Sequence, residues 1–156
     1  MFIVQLPQGG QPWHGKIANV LSLPQPDDLR SLVLRTDFTD EGAWIDLQVA
    51  VGADDATFVS DSRYAGVTIQ DLVDADAAAV DDDKLTYLFV ADATTMADDE
   101  HPLLAVDLYD EPGRTFRLPP RWYADVSANL CIANLGFEDF TDATDETGTY
   151  RGLGEE

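Results

Sequence analysis

One dense run of acidic side chains in the 156-residue chain is VDADAAAVDDDK, residues 73–84, which contains five aspartates. Carboxylate oxygens are the ligands that Ca²⁺ and Mg²⁺ prefer in proteins, so the run is a candidate metal loop. An EF-hand loop that begins at Asp74 requires oxygen ligands at positions 3, 5 and 12 and glycine at position 6. Positions 5, 6 and 12 are instead Ala78, Ala79 and Leu85, so the pattern fails.

A second acidic segment, DATDETGTY beginning at Asp142, fails the same test. Glu146 stands at position 5, but Gly148 comes one place late and no glutamate closes the loop. We therefore predict no dedicated metal site and no cofactor. For the triplet at residues 81–83 we favour a solvated loop of like charges, with weak, nonselective cation binding as the alternative.

Two aspartates directly follow predicted buried strands, at the edge where open α/β sheets bind ligands. Asp37 follows LVLRT and Asp92 follows LFVA. If these strands are parallel neighbours, both carboxylates lie at one edge, where they could bind Mg²⁺ or act in acid–base catalysis. Together with His101, Asp107 and Arg114 they form the alternative pocket of a small enzyme. The simpler interpretation is that both aspartates begin turns and accept backbone hydrogen bonds.

Motifs of the common catalytic classes are missing from the sequence. It contains no GxGxxG or GxxxxGK[ST] phosphate loop, no GxSxG, no HExxH and no CxxC. A triad would have to use one of two histidines, His14 or His101. The single cysteine, Cys131, lies in NLCIAN, which we predict to be a buried strand. These gaps favour a non-enzymatic protein over an enzyme.

Arginines recur in GRTFRLPPRW, directly after the predicted hairpin turn. In so acidic a chain we expect them to pair with hairpin acids, namely Asp107, Asp110 or Glu111, in exposed ion pairs worth about 0–1 kcal/mol each. The alternative is an anion pocket in which Arg114 and Arg117 bind a carboxylate or a phosphate.

The overall charge limits the partners that the chain can bind. It has 9 basic and 30 acidic residues, a formal net charge of −21. Such a field repels nucleic acid and anionic membranes, and it attracts basic proteins and speeds their encounter. A compositional explanation competes with this one, because an Asp- and Ala-rich, Lys-poor proteome would give the same charge without any partner.

The elements that must position these residues follow from the hydrophobic pattern. Buried strands are predicted at residues 31–36 and 85–91, with a shorter one in ATFVSD; helices begin near Asp40 and at Thr68, whose spacing to Asp71 resembles a capping box. LLAVDLYDEPGRTFRL predicts a hairpin around a type II turn, followed by a short C-terminal helix in GFEDF. The fold class is α/β, with α+β as the alternative: one mixed sheet whose first half is βαβαβ.

Domain organisation follows from composition. Residues 1–29 are rich in Pro, Gly and Gln and are predicted to be an N-terminal arm with a short strand in KIANVLSL; residues 30–153 form one domain, and residues 154–156 are a tail. The first residues lack the basic start of a signal peptide, and no apolar run approaches the ~20 residues of a membrane span. We expect a cytoplasmic protein.

Several segments, in order and spacing, carry a resemblance: LVLRTDF, YAGVT, FVADATTM, HPLLAVDLYDEPGRTFR and NLCIANLGFEDF. Together they resemble an uncharacterised domain family of high-GC filamentous bacteria, over about residues 24–153. The resemblance implies a cytosolic single-domain protein. It implies no activity and carries over no catalytic residue.

Two functional hypotheses follow. The first is a non-enzymatic acidic protein, of the immunity or inhibitor type, that binds a basic protein partner. The second is a small enzyme or ligand-binding domain that uses carboxylates at strand ends, with or without a divalent metal. For the first, the predicted contact residues are acids on and after the second helix and two exposed aromatic anchors: Asp71, Asp74, Asp76, Asp81, Asp82, Asp83, Tyr64 and Trp122. Asp76 is anomalous, because at helical spacing it falls among the buried residues, so either the helix ends nearby or Asp76 has a buried partner.

Overall fold

The computed structural model describes residues 22–26, 30–132 and 135–152. It is an α/β structure with one mixed sheet. The strands are β1 Ser31–Arg35, β2 Ala56–Val59, β3 Tyr87–Ala91, β4 Leu103–Asp107 and β5 Thr115–Leu118. The helices are α1 Glu41–Val51, α2 Ile69–Ala78, α3 Ala93–Ala97, α4 Tyr123–Cys131 and α5 Phe137–Thr141. Short 3₁₀ helices occur at Ser62–Tyr64, Asp81–Asp83 and Pro120–Trp122.

The sheet has the strand order β2-β1-β3-β4-β5. Strand β1 pairs in parallel with both β2 and β3, so the first half is the predicted βαβαβ unit. Strands β3, β4 and β5 are antiparallel, which makes the second half a hairpin added to the parallel sheet. In its turn, Arg114 N–H donates to the Glu111 carbonyl at 2.9 Å and Gly113 has φ 98°, as a type II turn requires. The predicted fold is confirmed.

Both faces of the sheet are covered, which explains the nearly continuous apolar strands. On one face, strand side chains such as Val33 and Phe89 pack against α1, α4 and α5. On the other face, side chains such as Leu34 and Leu88 pack against α2. Full burial of each such side chain contributes about 1.5–3 kcal/mol.

Capping side chains fix where the two long helices of the first half begin. The Asp40 carboxylate accepts from Ala43 N–H at 3.0 Å at the start of α1. The predicted capping box at α2 is confirmed, since Asp71 N–H donates to Thr68 Oγ1 at 3.1 Å and Thr68 N–H donates to the Asp71 carboxylate at 3.0 Å. These bonds satisfy amide groups that a helix otherwise leaves without partners.

One predicted strand is wrong. NLCIAN begins inside α4, and Cys131 is that helix's last residue and only half-buried. The physical reason is the spacing of Tyr123, Val126 and Ser127, which are buried on one helical face that NLC continues. A short apolar run alone does not distinguish a strand from the end of a helix.

Some predictions fall on parts of the chain outside the described residues. These are most of the N-terminal arm, including residues 16–21 of its predicted strand, and the tail at 154–156. Of the arm, residues 22–26 are described and have no regular secondary structure. Leu23 packs against the α2 side of the core.

Candidate functional site

Asp37 and Asp92 lie at the same edge of the sheet, beyond the carboxyl ends of β1 and β3. The strands stay in register there, because Thr36 N–H donates to the Ala91 carbonyl at 3.0 Å. The Asp37 carboxylate accepts from Thr39, from its N–H at 2.9 Å and its hydroxyl at 2.5 Å. Asp37 thus has the turn-forming role that is common for aspartate.

Asp92 is held by a two-pronged ion pair with Arg117. Both guanidinium Nη atoms lie 2.8 Å from the carboxylate oxygens, and both side chains are largely buried. The carboxylate also caps α3 by accepting from Thr95. Burial raises the pKa of Asp92, but the hydrogen bonds and charge of Arg117 and the bonds from Thr95 outweigh it, and the pKa lies below the ordinary 3.8. The predicted pairing of Arg117 with hairpin acids is therefore wrong.

Arg35 is a fully buried arginine at the same edge. Its guanidinium carbon lies 4.4 Å from the centre of the Phe38 ring and 5.3 Å from that of Trp44. Its Nη1 donates to Glu41 Oε1 at 3.0 Å and to Ser60 Oγ at 3.2 Å, and its Nε donates to the Asp37 carbonyl at 3.0 Å. Stacking on aromatic rings and satisfied donors make a buried guanidinium tolerable. The sequence signal, an arginine ending an apolar strand just before Phe and Trp, is visible only in retrospect.

His101 lies near this edge but binds backbone. Its Nδ1 is 3.0 Å from the Thr95 carbonyl oxygen, and its φ is 49°, in the left-handed region. The neighbouring Glu100 instead pairs with Arg151 at 3.1 Å, which also binds Asp145 at 3.2 Å. Asp92, Arg117, Glu100, Arg151 and Asp145 are called the paired cluster below.

Asp107 and Arg114 lie at the opposite end of the sheet. Asp107 stands opposite Tyr87, the first residue of β3, whereas Asp92 follows the last. The buried Asp107 carboxylate accepts from the N–H groups of Tyr109, Asp110 and Glu111, which closes the hairpin turn. Arg114 pairs with Glu111 at 3.4 Å, one of the pairings expected from the sequence. The structure thus divides the five residues of the predicted pocket between two ends of the sheet.

Two of the six acids predicted to contact a partner have structural roles. Asp71 is the acidic member of the capping box of α2. Asp76 is 5% exposed, and its carboxylate accepts from Leu85 N–H at 2.7 Å. The buried partner explains why an aspartate occupies an apolar position on α2.

The other four acids are exposed, and we call them the acidic strip: Asp74, Asp81, Asp82 and Asp83. Asp74 accepts from Gln70 Nε2 at 2.9 Å, and within the described residues the carboxylates of the other three have no hydrogen bond or ion pair. The nearest cation in sequence, Lys84, points elsewhere: its Nζ donates to the carbonyls of Asp76 and Ala77, each at 3.0 Å. These carbonyls lie in the last turn of α2, where a cation is favourable.

The two predicted aromatic anchors differ from expectation. The prediction that Tyr64 is an exposed anchor is wrong, because only 3% of the residue is exposed. Its ring packs in the core, and its hydroxyl donates to the Ser22 carbonyl at 2.6 Å. Burial raises its pKa. Trp122 is half-buried against Tyr150, and its indole N–H has no hydrogen-bond partner within the described ranges.

A cavity of about 240 Å³ opens at the end of the sheet where β3 begins. It lies between that end and the α4–α5 connection. Its walls include Tyr87, Tyr109, Asp110, Leu130 and Phe137. No sequence motif brings these residues together, because they come from four separate stretches of chain.

Two searches of the described part of the chain were negative. Among residues 22–26, 30–132 and 135–152, no three His, Cys, Asp or Glu side chains are grouped so that they could hold a metal ion. No helix in the same residues is both long and apolar enough to cross a membrane.

Comparison with known proteins places the chain in a family but gives it no activity. A comparison with curated proteins found no match. The family model described as Domain of unknown function (DUF6924) matches residues 30–153, which is most of the chain. The chain belongs to this family of uncharacterised domains.

Proposed function

We propose that this protein is a non-enzymatic interaction protein that binds a basic protein partner through the acidic strip. The observation that carries the proposal is the uneven use of arginine. In the described residues five arginines form ion pairs with acids, but none of these pairs involves a residue of the strip. Within the described part of the chain, the carboxylates of the strip therefore have no ion-pair partner, although Lys84 follows Asp83 directly.

The geometry of the strip suits electrostatic docking. Asp81, Asp82 and Asp83 are consecutive residues of one 3₁₀ turn, so their Cα atoms are about 4–7 Å apart, within the Debye length of about 8 Å at physiological salt. Their fields therefore add at a cation that approaches the turn. Complementary charge of this kind raises association rates and gives salt-sensitive binding.

A small enzyme that uses carboxylates at strand ends is the weaker hypothesis. Asp37 is bound by Thr39, and Asp92 is bound by Arg117 and Thr95, so neither carboxylate lacks hydrogen-bond partners. Asp107 and Arg114 lie at the other end of the sheet, too far to complete a site with them.

The test is capture of partners from a lysate of the source organism by three forms of the protein. One is the unaltered chain. The second carries Asp74→Asn, Asp81→Asn, Asp82→Asn and Asp83→Asn. The third is a matched control with four exposed carboxylates neutralised elsewhere, all without a hydrogen bond or ion pair within the described structure: Asp46→Asn, Asp54→Asn, Asp99→Asn and Glu146→Gln.

The two variants change the net charge equally, so only the location of the charge differs. The proposal predicts that a basic protein is retained at low salt by the unaltered chain and by the control, and is lost from the strip variant. Equal loss from both variants would mean that net charge alone governs capture. Retention of the basic protein by all three forms would mean that the strip is not part of the interface.

A further inference from the structure

We infer that the cavity beside the acidic strip is the receptor for one arginine side chain of the basic partner, an inference that rests on the function proposed above. The size of the cavity limits its occupant. At about 240 Å³ it is smaller than the ~300–1,000 Å³ typical of sites for drug-sized ligands. A single side chain is the appropriate scale.

The inner wall is apolar and aromatic. Leu130 and Phe137 line it from the helical side, and Tyr87 lines it from the sheet. The Tyr87 hydroxyl is already bonded to Ser31 Oγ at 2.5 Å, and burial raises the pKa of Tyr87 to about 12, so this residue contributes a neutral ring. Such a wall favours the methylene stem of a long side chain.

The remaining wall residues carry negative charge and an exposed ring. Tyr109 is 72% exposed, which is unusual for a tyrosine in this structure, and Asp110 beside it is exposed as well. Asp107 also lines the cavity, but its carboxylate oxygens already accept from backbone N–H groups. Within the described lining there is no arginine or lysine to neutralise these acids.

This combination selects among possible side chains. An acidic side chain is repelled, and an apolar one leaves the Asp110 carboxylate without a new partner. Arginine can place its stem on Leu130 and Phe137, and its planar guanidinium against the Tyr109 ring and Asp110. Lysine carries the charge but lacks the planar group that stacks on a ring and pairs with a carboxylate through two bonds.

The cavity and the strip are close enough for one partner to contact both. Thr86 lines the cavity and follows Asp83 by three residues, so their Cα atoms are at most about 11 Å apart. The strip would attract a basic surface, and the cavity would fix one of its side chains, as a buried arginine does at many interfaces.

The experiment uses the full chain labelled with ¹⁵N and two probes, N-acetyl-arginine amide and N-acetyl-lysine amide. We expect the arginine probe to give saturable shifts of the Thr86, Tyr109 and Gly136 amides with a dissociation constant on the order of 1 mM, as its small size allows. We expect the lysine probe to bind at least threefold more weakly.

Two substitutions locate the binding. Tyr109→Ala and Asp110→Asn alter exposed side chains that are not part of the core, and each should weaken the arginine probe at least threefold. The variant with the neutralised strip should bind the probe nearly as well as the unaltered chain. Absence of saturable shifts, equal affinity for both probes, or shifts that neither substitution changes would overturn the inference. None of those results would affect capture of a partner through the strip, so the two proposals can fail separately.

Discussion

The two ends of the sheet treat their acidic residues in opposite ways. At the end where β3 finishes, the three acids of the paired cluster bind its two arginines. Both oxygens of the Asp92 carboxylate lie 2.8 Å from the guanidinium of Arg117. At the end where β3 begins, the four exposed carboxylates of the acidic strip form no ion pair within the described residues, and the adjacent Lys84 donates to backbone carbonyls instead. The net charge of −21 is spread over the whole chain, and the strip concentrates four exposed carboxylates without an ion pair in the described structure between residues 74 and 83.

The position of the arginines, rather than the number of aspartates, decides which acidic surface of this protein keeps its carboxylates unpaired. Paired carboxylates contribute to stability, and the positive charge beside each of them cancels most of its electric field. Unpaired carboxylates contribute nothing to stability and repel one another by up to about 1 kcal/mol per close pair in water. A surface whose carboxylates stay unpaired despite this repulsion is a candidate site for binding a partner.

The largest expected effect comes from breaking the buried ion pair. Arg117→Met should destabilise the protein by about 3 kcal/mol, because it leaves Asp92 largely buried without its cation. The measurement is urea unfolding, with Arg151→Met as the control. Arg151 is 41% exposed and its partners are exposed too, so we expect a loss below about 1 kcal/mol. Equal losses would mean that the two ion pairs do not differ as described.

The same pair predicts a pH dependence. The folded pKa of Asp92 lies below 3.8, so the stability that the pair supplies is complete above that pH and is lost as pH falls through the lower folded value. The unaltered chain should therefore lose stability below about pH 4, and Arg117→Met should lose less. Parallel acid curves for the two proteins would contradict this assignment.

Removal of the buried carboxylate at the edge of the strip should have the next largest effect. Asp76→Ala leaves Leu85 N–H buried without a partner, at a cost of about 2 kcal/mol. Asp76→Asn keeps an acceptor oxygen and should recover about half of that loss. Chemical unfolding of both variants checks this. If the two were equally destabilised, the charge rather than the hydrogen bond to Leu85 would hold the turn.

Neutralising the strip should hardly change stability. The variant with four asparagines in the strip should unfold within about 0.5 kcal/mol of the unaltered chain, or be slightly more stable as repulsion is relieved. Thermal unfolding at low and high salt is the appropriate measurement. A loss above about 1.5 kcal/mol would assign these aspartates a structural role and weaken the proposed function.

The smallest effect concerns one exposed carboxyl group of the paired cluster. A hydrogen bond from Thr147, backbone bonds from Thr149 and Thr147, and the Arg151 guanidinium lower the pKa of Asp145 to about 2. We expect an NMR titration of its side chain to give a midpoint near that value, and Thr147→Val to raise it. A midpoint for Asp145 at or above the ordinary 3.8 would contradict the hydrogen-bonded turn.

Much of this fold is predictable because its signals are local. The capping box at Thr68 and Asp71, the Pro-Gly hairpin turn and the continuous apolar strand at 87–91 all act within a few residues. Two of the failures are nonlocal. The Asp92–Arg117 pair joins residues 25 apart through the register of three strands, and Tyr64 is buried partly because residue 22 returns to cover it. NLCIAN failed because its short apolar run also fits the end of a helix.

The candidate site was predictable only in part, for the same reason. The exposure of Asp74 follows from helical spacing. Whether the carboxylates of the strip stay unpaired depends on which acid each arginine pairs with in the folded protein. The cavity depends on the packing of α4 and α5 against the sheet, and no sequence motif encodes that arrangement.

The most direct test of the central claim is an NMR titration of the full chain with an octapeptide of lysine at low salt. Binding should depend on the unpaired carboxylates of the strip, not on the net charge of the protein. Amide shifts should concentrate at residues 74–86 and disappear in the variant with the neutralised strip, while the matched control keeps them. Shifts spread evenly over all acidic surfaces, or centred on the paired cluster around Asp92 and Asp145, would contradict this expectation.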